Sequence, residues 1–356
     1  MSNYKILTLA EKDEWSRYLS NLPIDQQDIY FTSEYYELYE KNGDGTAQCF
    51  VFEKEGEIAL YPFLLNSVNE LGYCLDVEYY DIQGAYGYNG VVSSSIDLDF
   101  RINFYQCFRE YCSKKRIIAE FIRYNPLLKN QDFCVTDKPI YALDNVLIDI
   151  RPELDEIWMK SFDNGVRKSI NKGRKNNLEF GSFPGREMTD ELLAEFIKVY
   201  YSTMDRNGAD EFYYFSESYF QNILSLLPDN SLFSFIHYQG KIISAELNYF
   251  GNHYAYGFVG GTLADYFKVA PNSFLRFELI KQLKALNVCY YSIGGGITKD
   301  DSKYKFKKSF SKNIENKFYI GKKIHNQDVY NEVIKQWELK FKPVSNNKLL
   351  KYRDIK

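Results

Sequence analysis

With 356 residues, 45% hydrophobic, 26% charged and 17% aromatic, the chain has the composition of a globular protein long enough for two domains. Only three histidines are present, which leaves little material for a zinc site or a histidine-based triad. No apolar run approaches the roughly 20 residues of a membrane span, and the acidic start around Glu11, Asp13 and Glu14 lacks the features of a signal peptide.

In chain order, the first hundred residues are acidic, with Glu34, Glu37, Glu40, Glu53, Glu55 and Glu57. Residues 48–53 and 58–65 alternate as two strands around a turn at Glu55-Gly56, and residues 86–93 read as another strand. Residues 99–113 have helical spacing, with Phe100, Phe104, Cys107, Phe108 and Tyr111 on one side, and residues 117–123 read as a strand. The stretch 139–151 reads as a join between domains, followed behind Pro152 by one helix over 155–175. The second half then repeats the order. Residues 231–238 and 242–250 form strands around Gln239-Gly240, and residues 253–259 form a third. A helix over 272–286 carries Leu275, Leu279, Ile280, Leu283 and Leu286, a strand covers 288–293, and an amphipathic helix covers 328–341. Such a repeat means duplicated domains, expected at 1–145 and 146–356, each a mixed sheet flanked by helices in the α/β (α+β) class. The six scattered cysteines, none in a CxxC pair, read as reduced thiols of a cytoplasmic protein.

The charge is uneven. Arg167, Lys168, Lys172, Arg174 and Lys175 form one basic run, and residues 299–323 form another. These two runs are expected to share a face that meets an anion. Gly294-Gly295-Gly296 follows a strand without the lysine spacing of a nucleotide P-loop, and reads as a turn at the edge of a cleft.

Four segments occur in order: the basic helix from Asn164 to Lys175; Tyr201-Ser202-Thr203-Met204-Asp205-Arg206-Asn207-Gly208; Ile243-Ser244-Ala245-Glu246-Leu247 running on to Tyr254-Ala255-Tyr256-Gly257; and Tyr304-Lys305-Phe306-Lys307-Lys308-Ser309-Phe310. Together with Tyr80-Asp81-Ile82-Gln83-Gly84-Ala85-Tyr86-Gly87, this set resembles the Fem family of peptidoglycan-bridge aminoacyltransferases and its BioF2-like GNAT acyltransferase relatives. The resemblance implies two tandem GNAT-like domains, with the active site in the second. It implies transfer of an aminoacyl or acyl group to an amine of a cell-envelope precursor, of peptidoglycan or a surface polysaccharide, linked to a nucleotide or a lipid. The implied donor is aminoacyl-tRNA, which makes tRNA a partner, or acyl-CoA; no tightly bound cofactor is implied, and any membrane contact is peripheral. Two alternatives stand beside it: an acyl-CoA-dependent N-acyltransferase of GNAT type, and a degenerate GNAT fold that only binds a ligand.

The family's phosphate-binding arginine and its working lysine fall at Arg206 and Lys307. The chain departs from the family in lacking a coiled-coil arm and in carrying Thr32 and Tyr36 near Lys41. It also has Ala270-Pro271-Asn272 where GNAT enzymes have a glycine-rich pyrophosphate loop. Chemically, a fixed cation such as Lys307 stabilises the oxyanion of acyl transfer, and the fork of Arg206 suits phosphate oxygens. Tyr256 is placed with Lys307 as catalytic. Tyr254, Glu246, Asn272, Arg167 and Lys172 are expected to line or bind the substrate.

Overall fold

Glu55 and Gly56 both have positive φ (55° and 84°), and so do Gln239 and Gly240 (53° and 74°). This is the left-handed pair that a tight two-residue hairpin turn requires. The same turn therefore opens the same hairpin twice. The computed structural model describes residues 4–296, 298–299, 301–312, 314–341 and 348–355. It divides into two compact units, 1–142 with 318–356, and 143–317.

The first unit begins with β1 (Tyr4–Leu7), α1 (Lys12–Ser20) and α2 (Ser33–Lys41), then β2 (Thr46–Lys54), β3 (Glu57–Ser67), β4 (Tyr80–Gln83), β5 (Val92–Ser93), α3 (Leu98–Lys115) and β6 (Ile117–Arg123). β1, β2, β3 and β4 are antiparallel neighbours in that order, and β6 returns parallel to β4 through α3. Alternate residues of β2 and β3 (Phe50, Phe52, Tyr61, Phe63) pack on Phe100, Phe104, Phe108 and Tyr111 of α3. Aromatic pairs such as Phe50–Phe108 cross edge to face at 5.1 Å.

The second unit holds β7 (Ile140–Asp149, from Leu143), α4 (Leu154–Glu156), α5 (Asn164–Lys175), β8 (Glu179–Pro184), α6 (Asp190–Asn207) and α7 (Glu217–Leu226). It continues with β9 (Ser231–Tyr238), β10 (Lys241–Phe250), β11 (Tyr254–Thr262), α8 (Pro271–Ala285), β12 (Tyr290–Gly295) and α9 (Ser302–Lys308). Its topology repeats the first: β8, β9, β10 and β11 are antiparallel neighbours, and β12 returns parallel to β11 through α8. Leu275, Leu279, Ile280 and Leu283 of α8 pack with Val166 and Ile170 of α5 over one face. Phe196 of α6 and Phe220 of α7 meet Phe233 of β9 on the other. Leu286, expected on the apolar face of α8, lies past the helix end and is exposed.

In each unit the parallel strand takes one more antiparallel neighbour. For β12 this is β7, which precedes the repeat in sequence. For β6 it is β13 (Asn316–Ile324), from Phe318 on, which follows the whole second unit in sequence. The stretch expected to be a join is thus a sheet strand. The segment from Phe318 onward, including α10 (Gln327–Phe341), packs with the first unit rather than the second. Two further expectations differ. Residues 86–93 are mostly irregular, because Gly87 (φ 114°) and Gly90 (φ 103°) break the strand and leave only β5. The helix over 155–175 is two pieces, since Phe162 (ψ 138°) and Asp163 (ψ 158°) are extended. The cysteines are free thiols, Cys49 and Cys112 buried. No helix among the described residues is long and apolar enough to cross a membrane.

The tail of the first unit is tied down by charge. Asp81, wholly buried on β4, accepts from Tyr352 Oη (2.7 Å) and from Arg353 Nε (2.8 Å). At the end of β13, His325 Nε2 lies 2.7 Å from the buried Glu120, whose other oxygen accepts from Tyr61 Oη at 2.9 Å. Because an unpaired buried charge is costly, Arg353→Met should lower stability by about 3 kcal/mol. An unchanged midpoint of thermal unfolding would show that the tail is not an anchor.

Candidate active site

β11 and β12 stay paired only at Tyr254–Tyr290, Ala255–Tyr291 and Tyr256–Ser292. From Gly257, β11 keeps to β10, and from Gly294, β12 keeps to β7, so among the described residues the two parallel strands part and leave an opening in the sheet. The corresponding place in the first unit is filled. There Asn89 bridges to Tyr124 past the end of β4, its backbone N–H donating to Arg123 O and its side chain accepting from Arg123 N, both at 2.7 Å. Asn130 Nδ2 donates to Asn89 O at 2.9 Å, and Arg123 Nε donates to Gly87 O at 2.7 Å. Among the described residues, no such segment fills the gap between the parallel strands of the second repeat.

A polar cluster sits beside that opening. Glu246 of β10 accepts from Arg276 Nη2 of α8 at 2.8 Å and from Tyr291 Oη of β12 at 2.7 Å. The Glu246 and Arg276 side chains are only 14% and 11% exposed. Asn248 Oδ1 lies 2.9 Å from Tyr291 Oη, and Arg276 Nη1 lies 3.3 Å from it. Burial, and then the Glu246 carboxylate, push the Tyr291 phenol well above its ordinary pKa. Gly257 makes room for the cluster: a Cβ there would stand 3.1 Å from Glu246 Oε1 and 3.3 Å from Tyr291 Oη. A β-bulge between Leu247 and Asn248 brings Gly257 opposite Asn248.

Lys307, in the last turn of α9, reaches the same place. Its helix starts at the Asp301 cap, which accepts from Tyr304 N at 2.7 Å. Phe306 meets the fully buried Phe310 edge to face at 5.5 Å, which fixes the helix on the unit. Lys307 Nζ donates to Gly295 O at 2.8 Å and lies over Gly294, whose Cβ position would be 3.4 Å away. Gly294 has φ 70°, so a side chain there would be both strained and crowded. Burial first, then the charge of Arg276, push the Lys307 amine down to about 8.

The other expected residues divide. Glu246 stands in the cluster with Lys307. Tyr256 is buried and pairs across the strands with Tyr249. It falls on the face where Tyr249 and Phe258 meet the α7 aromatics, opposite to Glu246 and Tyr291. Tyr254 is buried against Tyr290 and His253, at the paired end of the strands away from the opening. Arg206 donates to Thr262 O at 2.8 Å at the far end of β11, with its guanidinium over Phe267. Asn272, at the start of α8, accepts from Ser244 Oγ at 3.2 Å and from Thr262 Oγ1. Arg167 turns inward and holds the carbonyls of Trp158, Met159 and Phe162, while Lys172 is exposed on α5. Lys41 pairs with Glu37 one turn away. Lys308, next to Lys307 on α9, donates to Ile314 O at 2.6 Å. Backbone bonds tie the residues just before α5 to those just after α9, Asp163 N donating to Ser309 O (2.8 Å) and Lys312 N to Ser161 O (3.2 Å). Arg276, Tyr291 and Asn248 were not singled out from the sequence. The available signal was a lone arginine in the apolar run of α8 and a lone glutamate in the apolar run of β10.

Residues 160–307 match the family model of the acetyltransferase (GNAT) domain. The match falls within the second unit. In its fold, which is a Fem-like GNAT fold, the chain is similar to the crystal structure of FemX, with TM-score 0.66 and 14% identity over 92% of this chain and 99% of that one. It is also similar to a conserved protein of unknown function from Bacteroides thetaiotaomicron (TM-score 0.55, 12% identity, 90% and 99% covered). A third likeness is to the C-terminal DUF2156 domain of a protein assigned as a lysylphosphatidylglycerol synthetase from Agrobacterium fabrum (0.53, 16%, 90% and 94%). No curated protein matches the sequence. Among the described residues, no group of histidine, cysteine and acidic side chains is placed to hold a metal ion.

The lysine leaves a thermodynamic signature. Its folded pKa of about 8 lies below the ordinary 10.5, so the unfolded chain binds the extra proton between those values. The burden of the buried charge is full below about pH 8 and is relieved as pH rises towards 10.5. Lys307→Met should therefore raise the melting temperature at pH 7, and the gain should shrink above pH 8. A destabilised Lys307→Met variant at pH 7 would show that the amine is a net structural contact. Gly257→Val should lower stability by about 1–3 kcal/mol through overpacking against Glu246 and Tyr291, and an unfolding curve identical to the parent's would contradict that packing.

Proposed function

We propose that the chain is an acyltransferase that moves an aminoacyl or acyl group from an ester or thioester to an amine of a cell-envelope precursor, with Lys307 as its working base. The observation that carries this reading is the half-buried Lys307 amine, held by one carbonyl where β11 and β12 part, with its pKa pushed down to about 8. An amine so poised takes a proton near neutral pH, which an ordinary lysine does not.

In the reaction, the acceptor amine attacks the donor's carbonyl carbon, and neutral Lys307 takes the proton that the nitrogen sheds. The ammonium so formed stands beside the new oxyanion and stabilises it. Collapse of the tetrahedral intermediate forms the amide and breaks the ester or thioester bond. The leaving alcohol or thiol takes the proton back, and Lys307 returns neutral. Tyr291, protonated and tied to Glu246, is a second donor within the cluster. Arg206 and Lys172 are assigned to the phosphates of a nucleotide- or lipid-linked acceptor, and Asn272 to the donor at the start of α8. Arg167 is left out, because its fork is taken by backbone carbonyls. The likeness to FemX supports an envelope precursor as acceptor, and the sequence resemblance to the Fem family is what suggests aminoacyl-tRNA as donor. Acyl-CoA is the competing donor in this reading.

Thermal unfolding with UDP-linked precursors, acyl-CoA and tRNA separates these readings, since a ligand at 100 times its dissociation constant adds about 2.7 kcal/mol. With the stabilising pair as substrates, kcat/KM should rise with pH to a plateau above about 8. Lys307→Met should lose about two orders of magnitude in turnover, while Lys308→Met keeps the parent rate. Equal rates for the two variants would remove Lys307 from the mechanism.

A further inference from the structure

We infer that Arg276 is a positioning residue for Lys307: by engaging Glu246 it keeps that carboxylate from pairing with the amine, and leaves Lys307 directed at the opening between β11 and β12. The inference rests on the reading of Lys307 as the working base, but it concerns a different group and has its own measurement.

The geometry is a competition for two carboxylate oxygens. Both Glu246 and Arg276 lie close enough to act on the charge of Lys307, Arg276 the more strongly. A lysine beside a half-buried glutamate ordinarily closes an ion pair with it and becomes a structural cation. Here Glu246 Oε2 is taken by Arg276 Nη2 at 2.8 Å and Oε1 by Tyr291 Oη at 2.7 Å. Lys307 Nζ is left with Gly295 O. The choice of arginine matters, because its planar fork reaches Glu246 and Tyr291 together and never gives up its proton.

The other groups around Lys307 do not substitute for Glu246. Asp301, at the start of α9, uses its oxygens on Thr298 N (3.0 Å) and Tyr304 N (2.7 Å) as the cap of that helix. Lys303 in the first turn of α9 adds a like charge. β7 offers the carbonyl of Asp144 next to Gly295, and β12 offers the protonated Tyr291. Arg276 thus acts in two ways with one sign: it repels a proton from Lys307, and it holds the carboxylate that would attract one.

The test is to titrate Lys307 directly, in full-length protein labelled with carbon-13 lysine, with the resonance assigned by its loss in Lys307→Met. The parent amine should titrate near 8. In Arg276→Met, Glu246 is released to Lys307, and the titration should move up by about one unit or more; Arg276→Lys, which keeps a cation beside Glu246, should move it less. If Arg276→Met does not fold, Glu246→Gln decides: with the arginine kept and the carboxylate gone, the titration should fall below the parent's. An unchanged or lowered value in Arg276→Met, or an unchanged or raised one in Glu246→Gln, overturns the inference. Because these values are read without turnover, they stand apart from the mechanism. Full activity of Lys307→Met would sink the base assignment alone, whereas a shifted titration with an unmoved pH profile of kcat/KM would separate positioning from chemistry.

Discussion

The parting of β11 and β12 is the constraint on which the rest of the second unit depends. Two parallel strands normally satisfy each other's backbone along their whole length. Here they do so for three residue pairs and then follow other neighbours. Each diverging edge has a device that permits it. On β11 it is the bulge at Leu247–Asn248 together with Gly257, Gly260 and Gly261; on β12 it is the irregularity between Ser292 and Gly294. A Cβ at Gly261 would run into the backbone of α6, so the glycines also let that helix come close behind the strand. The first unit has the same connectivity, yet fills the equivalent place with Asn89 and Asn130. One topology therefore gives a closed structural unit and an open chemical one, and the difference is a few asparagine and glycine positions.

The cluster beside the opening has the composition of a site rather than of a stabilising core. Among the described residues, Arg276 Nε and Asn248 Nδ2 are buried without a hydrogen-bond partner, and Lys307 Nζ donates to the Gly295 carbonyl. Each unmet donor costs stability that a well-packed apolar core would not give up. Such groups persist where they have work to do, and here they lie at one end of one pair of strands.

Much of the fold was legible in the sequence, because hairpins and amphipathic helices report local geometry. Glu55-Gly56 and Gln239-Gly240 mark identical turns, and the apolar spacing of α3 and α8 marks matching crossovers. What was not legible depends on partners far along the chain. β7 reads as a join because its neighbour is β12, about 140 residues later, and nothing local marks the pairing. Phe318 onward reads as the end of the second domain because the strand it follows in space lies in the first. In the cluster, Lys307 and Glu246 belong to the ordered set quoted from the sequence, whereas Tyr256, paired with Tyr249, lies on the opposite face of the strands. Arg276 escaped because one charge among the four of α8 has no particular meaning until its carboxylate partner is known.

The placing of β13 has a consequence for how the molecule is made. Residues 1–142 leave the ribosome before residues 318–356, yet the antiparallel partner of β6, the cap of α10 and the Arg353 that neutralises Asp81 lie in the later segment. Until they arrive, β6 has a bare hydrogen-bonding edge, and Ile118 and Ala119 lack the cover of Val333 and Trp337. Such an edge invites pairing with other chains. The first unit therefore cannot be completed before the second has been made, and a nascent chain stalled between β6 and residue 318 exposes an aggregation-prone edge however well the second unit has folded.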